Sequence, residues 1–375
     1  MVFLQQRIGI SNLVRSATFF QHAGVSIVYV FMPILAKNLT NSVFEVGITV
    51  ATFFFAQIMS SLYFGRISDR CGKRLIFIQI GFIGSAIAFG LHYFADNSLY
   101  LLLARLGAGV ASGMIVPAML AYTYESGKDK SKVASIISFH ALGWLAGIVA
   151  AGIANNEKTI FLISAGFFLA GLVITTRLPN YVTAREANAI TTSNVIVKNK
   201  FLFLSLLLRH TGATSVWTIL PLVLTETFHA KLYEVSMVYV ANTATSFVLM
   251  NLMASKITMR NVTKFKIGVG LTVFVFLGMA LMTNWWMAIP SMALVGITWA
   301  FLYIGGSIHL MENNPKSTST GIFNSTISIA NVIGPVIAGA LAFYYNNITV
   351  IYFAVGICII AFLVSLKVRD KSLVA

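Results

Sequence analysis

Two stretches of the chain carry the same chemistry twice. His22, Ser26, Tyr29 and Pro33 follow one another at i, i+4, i+7 and i+11, which is one face of a helix. His210, Thr214, Trp217 and Pro221 repeat the pattern at an offset of 188. Gln21 stands before the first set and Arg209 before the second. Imidazoles exchange protons near neutral pH. Hydroxyls and an amide offer hydrogen bonds, and a guanidinium offers a planar fork for a carboxylate or phosphate. A stripe of this composition suits the wall of a small-molecule site, with Gln21, His22, Ser26, Tyr29, Arg209, His210, Thr214 and Trp217 as binding residues. The plainer alternative is close helix packing with the hydroxyls satisfied internally. Trp144, His140, Trp299 and Tyr303 are weaker candidates of the same kind.

No catalytic set accompanies the stripe. The 11 acids lie almost wholly at the ends of apolar runs and in loops, so no paired acids or Ser/His/Asp arrangement shares one depth. No His/Cys group has metal-ligand spacing, and no Gly-rich nucleotide loop ending in Gly-Lys-Ser/Thr is present, so neither metal nor cofactor is expected. Cys71 and Cys358 read as free thiols.

The elements that hold these residues are set by composition. Charged residues are 10% of the 375 and apolar residues 58%, with 29 Phe; mean hydropathy is +0.84. Ordinary soluble domains carry about 25% charge. The chain has too few charges to cover a soluble surface, and fits an all-α membrane protein. Twelve apolar runs fall at about 11–36, 43–64, 75–94, 98–124, 132–154, 159–177, 201–227, 232–255, 267–283, 286–311, 318–344 and 348–366. They are too long and too Gly- and Leu-rich for the short alternating strands of a membrane barrel. The N-terminal residues lack a signal-peptide pattern, so the first span is expected to remain in the mature chain.

Charge orients the spans. With the N-terminus in the cytoplasm, 20 of the 26 Lys and Arg fall on the cytoplasmic side and only Lys37, Lys158 and Lys231 on the other. Arg15, Arg105 and Arg209 lie within spans. The net charge of +15 is thereby explained by anionic inner-leaflet lipid and needs no nucleic acid. A multi-pass protein of the cell membrane with both termini cytoplasmic is expected.

The repeat extends beyond the stripe. Gly147-Ile148-Val149-Ala150-Ala151-Gly152 aligns with Gly334-Pro335-Val336-Ile337-Ala338-Gly339 at an offset of 187. Two six-helix halves are expected, residues 1–178 and 201–375, joined by the polar cytoplasmic linker 179–200.

Between spans two and three the sequence reads Gly65-Arg66-Ile67-Ser68-Asp69-Arg70-Cys71-Gly72-Lys73-Arg74. Here the chain resembles the major facilitator superfamily, whose signature loop has Gly65, Asp69, Arg70, Gly72, Lys73 and Arg74 at these spacings. Gly65 and Gly72 would let the backbone turn and approach its neighbours. Asp69, alone among basic residues, would be attracted to a helix N-terminus. The resemblance places that terminus at span eleven, near Ser317–Thr320, and Arg70 would then pair with Glu125. Gly65, Asp69, Arg70, Gly72, Arg74 and Glu125 are thus the expected gate. The second half has Met259 where Asp69 would stand, so the gate is asymmetric.

Two more segments are similar to family motifs. Arg105, followed by Gly107 and Gly109, matches an Arg linked in the family to proton movement and cavity structure; the alternative is an Arg held by backbone carbonyls or snorkelling. Gly143 to Ile148 looks like the antiporter motif G-x-x-x-G-P with Ile148 in place of proline, and is equally readable as close packing.

The resemblance implies a monomeric secondary transporter that moves a small solute by alternating access. Protons are the expected coupling ion, through His22, Arg105 and His210. No acid within a span obviously pairs with Arg209, so the expected solute is an organic anion; the alternative is an Arg209 satisfied by water and helix carbonyls at the cytoplasmic mouth. Multidrug or small-molecule efflux by proton antiport, and an uncoupled facilitator, are the alternatives. A channel would call for a filter or a symmetric oligomer, which the repeat within one chain argues against.

Overall fold

Apolar runs in a bilayer must satisfy their backbone internally, and every regular element among the described residues is helical. The computed structural model describes residues 2–40, 42–127, 130–156, 158–180, 192–255, 259–314 and 316–369. The first six spans are α1 (Val2–Tyr29) with α2 (Met32–Thr40), α3 (Val43–Cys71), α4 (Arg74–Leu91), α5 (Ser98–Gly127), α6 (Lys130–Ala154) and α7 (Thr159–Thr175). After a short α8 (Thr192–Lys198) come α9 (Lys200–Leu222), α10 (Leu232–Ser255), α11 (Asn261–Ala280), α12 (Ala288–Asn313), α13 (Lys316–Tyr344) and α14 (Asn347–Leu366). Among the described residues, nine helices are long and apolar enough to cross a membrane, and Phe139–Ala154 and Thr159–Thr175 are shorter apolar helices. The twelfth position belongs to α9, whose polarity comes from Arg209, His210 and its hydroxyl residues.

The helices depart from the expected spans at particular residues. Span one is broken at Val30–Phe31 and resumes as α2. Pro33, second in α2, has no N–H to give and would clash with the carbonyl four residues back, so the helix restarts around it. Its repeat mate Pro221 stays inside α9, and a π-helical turn follows at Val223–Thr227. The turn between spans two and three is shorter than expected. Helix α3 runs through the signature segment to Cys71, and Gly72 and Lys73 make the turn, Gly72 at φ 65° with its N–H bonded to the Ser68 carbonyl. Gly65 sits within the helix and makes no turn; a Cβ there would meet Pro117 at 3.6 Å, an ordinary contact.

Contacts divide the chain into two compact units, Met1–Asn41 with Thr52–Ala187, and Ser42–Ala51 with Asn188–Ala375. Within the first, α1 packs on α6 and α7, and α4 on α5 and α7. Within the second, α9 packs on α13 and α14, and α11 on α12 and α14. These are the same pairings in the same order. The glycines explain why. A Cβ on Gly147 would overlap Ser26 Oγ and the Ala23 carbonyl, and one on Gly334 would overlap Thr214 Oγ1. Likewise Gly109 lies on the Phe53 carbonyl and Gly296 on the Asn242 carbonyl. Small residues at these points let helix backbones touch, which in lipid replaces the hydrophobic drive of a soluble core.

Candidate functional site

In the first unit, α1 presents the stripe to α6. Gly143 has no side chain, and a Cβ there would come within 3.0 Å of His22 Cβ. That approach lets His140, one turn earlier on α6, lie flat on His22, with ring centroids 3.6 Å apart and planes 4° from parallel. Further along, Trp144 stands 5.3 Å from Tyr29 in an edge-to-face contact and 6.4 Å from His140. Tyr29 also meets Phe54 at 6.1 Å. Gln21 is buried, as is Ser26, whose hydroxyl lies 3.3 Å from the Ala23 carbonyl and 3.5 Å from that of Gly143. Ser26 thus serves the helix contact. The Trp144 indole N–H is buried without a partner among the described residues.

Arg105 reaches inward from α5. It is 2% exposed, and its guanidinium lies 4.4 Å from the centroid of the Phe53 ring. A cation over a ring face is attracted by the quadrupole, most strongly where water is excluded.

In the second unit, α9 buries Arg209 to 2% exposure. Its Nε donates to Thr272 Oγ1 at 3.0 Å and its Nη2 to Thr298 Oγ1 at 3.1 Å. Both hydroxyls give their own protons to helix carbonyls, Thr272 to Gly268 and Thr298 to Val295, each at 2.8 Å. Their lone pairs are therefore turned to the guanidinium. The Trp299 ring completes the surround at 5.9 Å. Among the described residues no carboxylate pairs with Arg209, so the cation is solvated by neutral groups alone. Beside it, His210 Nε2 lies 3.2 Å from Asn331 Oδ1 and its ring 5.4 Å from Trp299, while Nδ1 is buried without a partner among the described residues. Trp299 continues to Tyr303 at 5.2 Å, whose hydroxyl donates to Asn324 at 3.4 Å.

Thr214 serves packing, as Ser26 does; its nearest acceptor is the Ala330 carbonyl of α13 at 2.9 Å. Trp217 packs on Phe276 and Tyr239 at 6.2 and 6.4 Å. The hydroxyl members of the stripe therefore hold helices together, while its histidines and arginine keep polar atoms in reserve. Thr272, Thr298 and Asn331 were not legible as site residues. Each is a lone polar group in an apolar run, and only the packing of α9 against its neighbours joins it to Arg209 or His210.

Of the expected gate, Gly72 and Arg74 stand at the turn, where Arg74 Nη1 donates to Ser68 Oγ at 3.1 Å, and Arg70 is exposed. The side chains of Asp69, of Glu125 and of the first residues of α13 through Thr318 lie outside the described residues, so neither the Asp69 helix contact nor the Arg70–Glu125 pair is described.

The chain matches the Major Facilitator Superfamily over residues 16–317 and 202–374. It belongs to that superfamily. Over 90% of its length it is 23% identical, across 366 residues, to the multidrug resistance protein MdtG of Proteus mirabilis, covering 90% of that protein. Its fold is similar to that of the nucleoside transporter NupG, with a TM-score of 0.76, 14% identity and coverage of 96% and 100% of the two chains. It is also similar to the human organic anion transporter MFSD10, with a TM-score of 0.72, 15% identity and coverage of 96% and 99%. The protein is therefore a multi-pass membrane transporter with two pseudo-symmetric six-helix halves.

Proposed function

We propose that this transporter carries a small organic anion, coupled to protons, across the cell membrane, with both termini cytoplasmic and the monomer as the working unit. The observation that carries the reading is Arg209: a buried guanidinium met by two threonine hydroxyls and one indole, with no carboxylate partner among the described residues. A cation so placed is incompletely compensated, and a carboxylate or phosphate would supply its missing charge with fork-like hydrogen bonds. The halves 1–178 and 201–375, joined by 179–200, rock about the bound solute. Gly65, Asp69, Arg70, Gly72, Arg74 and Glu125 close the cytoplasmic side, and substrate contacts come from Gln21, His22, Tyr29, Arg209, His210 and Trp217, over helix seams that Ser26 and Thr214 hold together.

A second reading, efflux of varied small molecules by proton antiport, draws on the likeness to MdtG. The two readings separate by solute charge. Purified protein in detergent is screened by thermal shift against solutes sorted by charge, in wild type and Arg209→Gln. The anion reading expects stabilisation by particular anions that disappears in Arg209→Gln. Stabilisation by cations alone, kept in the variant, overturns it.

A further inference from the structure

We propose that His22 and His140 together form a single-proton site, and that the transporter couples to protons through this stacked pair. This rests on the proton-coupled reading above and locates its chemistry.

The geometry is unusual for two ionisable groups. The rings come from different helices, α1 and α6, and lie face to face at 3.6 Å with planes 4° apart. The contact lies on a seam where Gly143 and Gly147 let α6 approach α1 closely. Neither imidazole has a hydrogen-bond partner among the described residues, in contrast to His92, whose Nδ1 is 2.8 Å from the Ala88 carbonyl, and His210, which is tied to Asn331. His22 is half-buried and His140 exposed, so the free ring nitrogens are open to a proton, a water or a solute.

Two neutral imidazoles stack without penalty. One imidazolium over a neutral ring is held by the ring face. Two imidazoliums at this spacing repel strongly, because their charges are a few ångströms apart with no room for water between the rings. The pair can therefore hold one proton and resists a second, as coupled sites do. Metal binding does not compete, since nitrogens in two parallel stacked planes cannot converge on one ion.

The charged groups that face the pair are few. On α1, Arg15 is bonded to Asn12 at 3.2 Å and lies 5.9 Å from the Phe139 ring, and Tyr29 is uncharged. On α5, Arg105 lies over Phe53. Helix α7 has no titratable side chain. On α6 the only others are Lys130 and Lys132, whose side chains, with Arg7 of α1 and Glu125 of α5, are outside the described residues. No described acid offsets the proton. His210 differs from the pair in that Asn331 already occupies one of its ring nitrogens.

The sign of coupling follows by linkage. A proton on the pair adds positive charge, which favours a bound anion, and a bound anion favours the proton. Both then move in the same direction. One proton with one monovalent anion is electroneutral, so a pH gradient of about one unit supports up to about tenfold accumulation.

The test uses full-length protein in proteoliposomes. Uptake of an anion from the thermal-shift screen is measured with and without an imposed pH gradient, and the ratio of the two is compared within each variant. His140→Phe keeps a ring in the stack and removes its titratable nitrogens. Wild type should show a ratio well above one, and His140→Phe a ratio of one. A His140→Phe ratio equal to that of wild type overturns the pair while leaving proton coupling intact. A ratio of one in wild type, with saturable exchange present, overturns both coupling and pair. A second measurement does not depend on the variant folding. Nitrogen-15 histidine NMR of purified wild type should show the stacked rings sharing a single proton step across an acid titration; two ordinary, independent titrations overturn the proposal.

Discussion

Arg209 is held by hydroxyls whose own protons are already committed. Thr272 and Thr298 each bond a helix carbonyl at 2.8 Å and so have only lone pairs left for the guanidinium. Hydrogen bonds to a charged group contribute roughly 1.5–3 kcal/mol, and removing one partner leaves the charge buried. Thr298→Val should therefore destabilise the detergent-purified protein by about that amount. Ser215→Ala loses only neutral bonds to the Thr211 and Gly334 carbonyls, at 2.8 and 3.0 Å, and should cost about 1 kcal/mol. Unfolding midpoints of the two variants would be compared with wild type. A Thr298→Val protein as stable as wild type would show that Arg209 is solvated in some other way.

At the scale of helices, glycine decides where backbones meet. Gly147 and Gly334 occupy equivalent seams, one against Ser26 and the other against Thr214, and any Cβ there overlaps a neighbour. Gly147→Ala and Gly334→Ala should each lower folded yield and melting temperature by overpacking, on the order of 1–3 kcal/mol. Gly166, with nothing within 4 Å of a Cβ, should accept alanine without loss. Equal tolerance at all three positions would contradict the seam. Much of this level was legible beforehand. The 187- and 188-residue offsets located both seams, and the apolar runs located the helices. The break at Val30–Phe31 was not legible, because Pro33 and Pro221 present the same signal and the chain answers them differently: one restarts the helix, the other is followed by a π turn. The contact of His140 with His22 was hidden for another reason. The two lie 118 residues apart, and only the Gly143 approach brings the rings together.

For the whole molecule, charge predicts the orientation: with the N-terminus placed in the cytoplasm, 20 of 26 Lys and Arg fall on the cytoplasmic side. The two cysteines make the orientation measurable without engineering. Cys71 is exposed at the end of α3, beside the basic turn, and Cys358 is buried. A membrane-impermeant maleimide should label Cys71 in inside-out vesicles and leave it unlabelled in right-side-out ones. The opposite pattern would reverse the topology and, with it, the assignment of the signature turn to the cytoplasmic gate.

We propose that the buried Arg209 guanidinium, with no carboxylate partner among the described residues, makes this transporter an anion carrier. The most direct test is uptake and exchange in proteoliposomes of matched anionic and cationic solutes, with wild type and Arg209→Gln side by side. The account predicts saturable anion exchange, stimulated by unlabelled anion on the far side, and a loss of about tenfold or more in Arg209→Gln, as expected when a charged hydrogen bond is removed. Robust cation transport that survives Arg209→Gln, with no anion carried, would contradict it.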